Sequence, residues 1–194
     1  MIVEVDLHGI YELSSALRPD LYRKAMRKTI NDLMTRSSNT AKKHVRSRYN
    51  IKVKQLNRYI NVRKASGNNL EARFSVRSRR VSLFNFISKS SISSSIKSKR
   101  RGRRPVKVKV LKQSGMYKLR HAFVMIGKSG NIGIFERVVG VKSSTGKDKI
   151  KRLSTVGPAK MFEKEGVPLM QRYVDENSGR IFKQNFDYYI GRVK

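Results

Sequence analysis

Apolar residues recur at two periods along this chain, and the change of period marks out its elements. Tyr22, Met26, Ile30, Leu33, Ser37, Ala41, Val45 and Tyr49 follow one another at spacings of three or four, the stripe of an amphipathic helix. Leu21, Ala25 and Met34 widen its first half. Arg18-Pro19-Asp20 supplies the start, because proline is tolerated in a first helical turn and not in the interior. The second half has fewer large apolar residues and more charge: Lys42, Lys43, Arg46 and Arg48. That end is expected either to leave the core and serve an interface or a phosphate backbone, or to continue an ordinary amphipathic helix with a solvated face.

Elsewhere the period is two. Ile2, Val3, Val5 and Leu7 form a short strand that Gly9 ends, with a helical turn or two over 10–17. A short second helix fits 51–60, and Ser66-Gly67-Asn68-Asn69 is a turn. Leu70, Ala72, Phe74 and Val76 alternate with Glu71, Arg73, Ser75 and Arg77 as a half-buried strand. Val81 and Leu83, with Phe84 or Phe86, make a further strand or an irregular apolar anchor. Val106, Val108 and Val110 oppose Lys107, Lys109 and Lys112. Residues 123–126 and 132–139 flank Gly127-Lys128-Ser129-Gly130-Asn131 as a β-hairpin. A polar loop is expected over 140–149, then a last strand around Ile150 and Leu153. Gly157-Pro158 opens a helix that Gly166-Val167-Pro168 interrupts. A final helix carries Leu169, Met170, Tyr173, Val174, Ile181, Phe182, Phe186, Tyr189, Ile190 and Val193, with Gly179 a weak point inside it. The fold class is α+β: an antiparallel β-sheet with long basic loops, packed by a long N-terminal helix and a C-terminal helix. Its 194 residues are read as one domain, 1–194, with 88–105 a flexible basic loop.

Charge changes this picture most. The chain holds 45 Lys and Arg against 13 acids, a net +32. Between Leu33 and Phe135 there are 27 of those cations and a single acid, Glu71. A solvated surface accounts for scattered lysines but not for a hundred residues almost free of carboxylate. Nucleic acid or an equally anionic surface is the implied partner. The signal is densest in Ser88–Lys112, where a serine-rich run leads into Lys97-Ser98-Lys99-Arg100-Arg101-Gly102-Arg103-Arg104-Pro105 and then the valine strand. Lys97, Lys99, Arg100, Arg101, Arg103, Arg104, Lys107 and Lys109, with Lys42, Lys43 and Arg46 on the helix, are the candidate DNA or partner contacts.

Candidate chemistry is sparse. Phosphoryl transfer at two metal ions needs converging carboxylates, and the basic middle has only Glu71. Glu163, Glu165, Asp175 and Glu176 cluster at no metal-binding spacing and are read as helix-end and solvent residues. His8, His44 and His121 are far apart, and there is no cysteine, hence no disulfide and no thiolate ligand. No Gly-x-Ser-x-Gly elbow and no Gly-x-x-x-x-Gly-Lys-Ser loop occurs. No catalytic residue, metal or cofactor is assigned, and the chain is not read as an enzyme. Zinc-finger ligands and a helix-turn-helix pattern are absent too, which leaves sequence-independent contact with the phosphate backbone. No long uncharged apolar run suggests a membrane span.

One order of features is familiar. A basic run (Lys99 to Arg104) precedes a valine strand, followed by His121-Ala122-Phe123-Val124, Ser129-Gly130-Asn131 and Phe135-Glu136-Arg137-Val138. A polar loop, Ile150-Lys151-Arg152-Leu153 and Gly157-Pro158 before Met161-Phe162 complete it. This resembles the minor tail protein Z, or tail completion, family of long-tailed bacteriophages; the start Met1–Leu7 lies outside the family pattern. The resemblance implies a structural virion protein of the neck or tail top, assembled in the host cytoplasm, that completes the tail and joins head to tail. It implies a homo-oligomeric ring, commonly of six subunits, around double-stranded DNA. Its neighbours would be the tail tube or tail terminator protein and the head-completion or connector proteins. Ala122, Phe123, Gly130, Phe135 and Arg137 become fold-defining positions. Six copies at +32 apiece carry 192 positive charges. Duplex DNA offers one phosphate per ~1.7 Å, so a ring on the order of 40 Å deep encloses only about 25. Part of the basic surface must therefore face acidic neighbours or solvent. The alternative is a free-standing nucleic-acid-binding protein, ribosomal or chromatin-like, whose extended basic loops would suit RNA.

Overall fold

The computed structural model describes residues 2–3, 19–67, 69–87, 105–127 and 130–192. In chain order its elements are β1 (Ile2–Val3), α1 (Pro19–Arg48), α2 (Val53–Asn57), β2 (Ile60–Arg63), β3 (Arg73–Val76), β4 (Val81–Ser82), a 3-10 turn (Leu83–Phe86) and β5 (Val106–Val108). Then come β6 (Tyr117–Leu119), β7 (Ala122–Ile126), β8 (Ile132–Lys142), β9 (Asp148–Arg152), β10 (Ser154–Thr155), α3 (Pro158–Glu165) and α4 (Val167–Ile190). The α+β class is correct, with the antiparallel pairing spread over four small sheets. Two compact units form, one from residues 1–45, 57–77 and 159–194, the other from 46–56 and 78–158.

The first unit is built on α1 and α4. The stripe read from the sequence is the buried face: Tyr22, Ala25, Met26, Ile30, Leu33 and Met34 are all closed off from solvent. Phe182 of α4 completes a cluster with Tyr22, Ala25 and Met26, meeting the Tyr22 ring edge-on at 5.7 Å between centroids. The sheet runs β1–β3–β2, all antiparallel, and Phe74 of β3 packs on Phe162 of α3 at 5.3 Å. Polar groups register the layers. Asn31 Nδ2 donates to the Ala65 carbonyl while Ala65 N–H donates to Asn31 Oδ1, at 3.0 and 2.8 Å. Buried Asn185 of α4 donates to Thr29 Oγ1 at 3.1 Å and to Asp32 Oδ2 at 3.3 Å.

The distal half of α1 does not leave the core. Ser37, Ser38, Ala41 and Val45 are as buried as the large residues before them. Small side chains let neighbouring chain approach the helix closely, and the serine hydroxyls are satisfied by donating to the Met34 and Thr35 carbonyls. Glu165, at the end of α3, closes on this half. Its Oε2 lies 3.3 Å from His44 Nε2, and its side chain is only 9% exposed, so it is not the solvent residue its sequence context suggested.

The second unit has its core where β5–β6 meets the β7–β8–β9 sheet: Val106, Val108, Ala122 and Ile134, covered by Leu83, Phe84, Ile87, Leu119, Val124 and Leu153. The Val81–Phe86 anchor is part strand, part 3-10 turn. The hairpin at Gly127–Asn131 is present, with Ile126 opposite Ile132. Gly127 N–H donates to the Asn131 carbonyl and Gly130 N–H to the Gly127 carbonyl, each at 2.9 Å, and Gly130 takes φ +74°, open to glycine at no steric cost. The loop expected over 140–149 is mostly strand. β8 runs on to Lys142 and β9 begins at Asp148, leaving only 143–147 as a turn. The register shifts between Arg137 and Lys142, where β8 advances five residues against two on β9 and Gly140 has φ +76°; the irregularity lets the ribbon continue past the extra residues.

Candidate functional site

The predicted contact residues fall into three groups. Lys97, Lys99, Arg100, Arg101, Arg103 and Arg104 lie outside the described residues. Lys42 and Lys43 sit on the part of α1 in the first unit, Lys43 exposed and Lys42 half-buried. Arg46, Lys107 and Lys109 all belong to the second unit, and here the backbone draws together segments about sixty residues apart in sequence. The chain leaving α1 pairs with the chain leaving β5. Tyr49 bridges Leu111, Asn50 N–H donates to the Val110 carbonyl at 2.8 Å, and Lys112 N–H donates to the Arg48 carbonyl at 2.9 Å. Asn50 Nδ2 donates to the Lys109 carbonyl at 3.1 Å. Arg46, Arg48, Lys109 and Lys112 are thus gathered along one seam.

Lys107 of β5 stands directly opposite Lys118 of β6, both exposed, and like charges facing each other across a strand pair destabilise it. Arg46 is half-buried, and its Nε has no hydrogen-bond partner among the described residues. Glu71, the one carboxylate between Leu33 and Phe135, is in the first unit and holds Arg73 at 2.9 Å. Lys112 and Lys118 are members that sequence reasoning left out of the contact set. Lys112 closes the basic stretch Ser88–Lys112, whereas no local pattern marks Lys118, whose place depends on the β5–β6 pairing. Both ends of the 88–104 stretch meet β5 as well: Ile87 bridges Val108, and Pro105 leads directly into Val106.

The five motif positions divide by face. Ala122 is in the core and Gly130 in the hairpin turn. Phe123 and Phe135 lie opposite each other in register on the reverse side of the sheet, with Arg137 over the Phe123 ring at 5.7 Å.

Residues 8–177 match the prophage minor tail protein Z family. The chain belongs to that family. As a minor tail protein Z it is a structural component of the phage tail, and hence of the virion, with other tail proteins as its natural neighbours. The match takes in α1, the basic middle and the first part of α4, and begins at residue 8, just past the Met1–Leu7 start. No curated protein and no solved structure matches it. Among the described residues no group of three or more His, Asp or Glu is placed to hold a metal ion, and no helix is long and apolar enough to cross a membrane.

Proposed function

We propose that this minor tail protein Z completes the tail at the neck, as a ring of six subunits around the DNA channel that joins head to tail. The tail tube or terminator protein would lie on one side and head-completion or connector proteins on the other, with assembly in the host cytoplasm. The observation that carries the DNA contact is that backbone pairing brings together the segments bearing Arg46, Lys107, Lys109, Lys112 and Lys118, in a stretch whose one acid between Leu33 and Phe135 is Glu71. Lysine and arginine without base-reading partners bind phosphates irrespective of sequence. Lys97, Lys99, Arg100, Arg101, Arg103 and Arg104 add to the cations available for that contact. At +32 per copy a ring exceeds what luminal DNA can neutralise, so part of the charge faces acidic neighbours or solvent. Electron-microscopic imaging of particles with the protein tagged tests this. Density at the head–tail junction, with six-fold order, is the expected result; its absence there ends the neck assignment.

A further inference from the structure

We propose that the outer face of the β7–β8–β9 sheet is a docking surface for an acidic protein of the tail. Ala122 and Ile134 point into the core, so their neighbours Phe123 and Phe135 point away from it. The register adds Met125 opposite Gly133, Arg137 opposite Ile150, and Arg152 opposite Phe135 on the same outer face. These side chains form one row. Arg137 covers Phe123, and the Phe123 and Phe135 rings stack at 6.4 Å with 30° between planes. Phe135 in turn lies over Gly133, where a Cβ would stand 2.8 Å from the ring and 3.1 Å from Arg152 Nε. Glycine at 133 is what lets the ring lie down.

Phe123, Met125 and Phe135 remain half-exposed and Ile150 is 38% exposed. A contiguous apolar and aromatic surface flanked by arginine has the composition of an interface core. Its charge selects the occupant. Arg137, Lys142 and Arg152 face a single acid, Asp148, which Lys142 and Arg137 already share at 2.7 and 3.5 Å. The same face of a second copy would bring the same cations. Nucleic-acid bases need free ring faces to stack on, and these rings spend theirs on each other, on Arg137 and on Gly133. A protein segment that sets apolar side chains on the Phe and Ile floor and offers carboxylates to the arginine forks satisfies both demands.

This inference rests on the assignment to the tail, and the experiment separates the two. The full chain, with the photo-cross-linker benzoylphenylalanine at Ile150 or at Met125, is supplied to cells infected with phage lacking the gene. Irradiated particles are purified and adducts are identified by mass spectrometry. The expected adduct is to an acidic virion protein other than this chain. Arg137→Glu combined with Arg152→Glu should lower incorporation at least tenfold, while the purified variant keeps its circular dichroism and urea midpoint. Adducts to a second copy or to DNA, no adduct at either position, or full incorporation of the double variant overturn the docking surface alone. A wild-type chain absent from the particles overturns the tail assignment and the docking surface with it.

Discussion

At Gly157 a Cβ would stand 2.7 Å from the Ser78 carbonyl oxygen and 3.0 Å from that of Arg79, both main-chain atoms that no rotamer change can move. Gly157→Ala is expected to cost about 1–3 kcal/mol, as overpacking does, and to lower the urea midpoint; an unchanged midpoint would show that the Ser78–Arg79 chain yields. The sequence marked Gly157 as a helix start, but a close approach by residues nearly eighty positions away has no local signature. Asn185 is similar. It lies four residues after Ile181 on the α4 stripe and is 5% exposed, yet nothing nearby says that its partners are Thr29 and Asp32. Asn185→Leu would leave the buried Thr29 hydroxyl without its donor and is expected to cost roughly 1–3 kcal/mol, seen as a lower midpoint and faster hydrogen exchange in α1.

The elements with a strong period were legible. Proline at the start and thirty residues of three-four spacing gave α1 almost to the residue, and the alternation around Gly127–Asn131 gave the β7–β8 hairpin. What failed was inference from side-chain size and polarity. Scarce large apolar residues and the cations Lys42, Lys43, Arg46 and Arg48 suggested a helix leaving the core, although small residues also mark close packing. Ser143, Ser144 and Thr145 suggested a long loop, although the irregularity around Gly140 carries the strands almost to the turn. That ribbon is held by Asp148. A hydrogen bond and the charge of Lys142, and secondarily Arg137, hold its carboxyl below the ordinary 3.8, against a smaller opposing effect of desolvation. A lowered folded-state value stabilises above the unfolded value and is lost as pH falls through it. Amide exchange at the β8–β9 turn, corrected for intrinsic rates, should accelerate below about pH 4. Asp148→Asn should already exchange fast at neutral pH and show no such step; a wild-type ribbon indifferent to acid would refute the role given to this carboxylate.

Across the whole molecule, the charge was legible as an amount and a region, but its assembly into a seam was not, because backbone pairing between 48–50 and 110–112 is a long-range event. The seam makes a quantitative prediction. If Lys107 and Lys118 both meet phosphates, replacing both by glutamine should flatten the dependence of log K on log salt by about two units for duplex DNA, equally for two unrelated sequences. A slope unchanged in filter binding would remove these lysines from the contact. The anchoring of Ile87 and Pro105 at β5 has a separate bearing on how the gene can change. The ends of the intervening segment are brought together by the unit's own core, whatever lies between them. Loop-closure entropy grows only with the logarithm of length, so doubling such an excursion costs about 0.6 kcal/mol. A change of length between these two anchors is therefore expected to cost the core of the unit little.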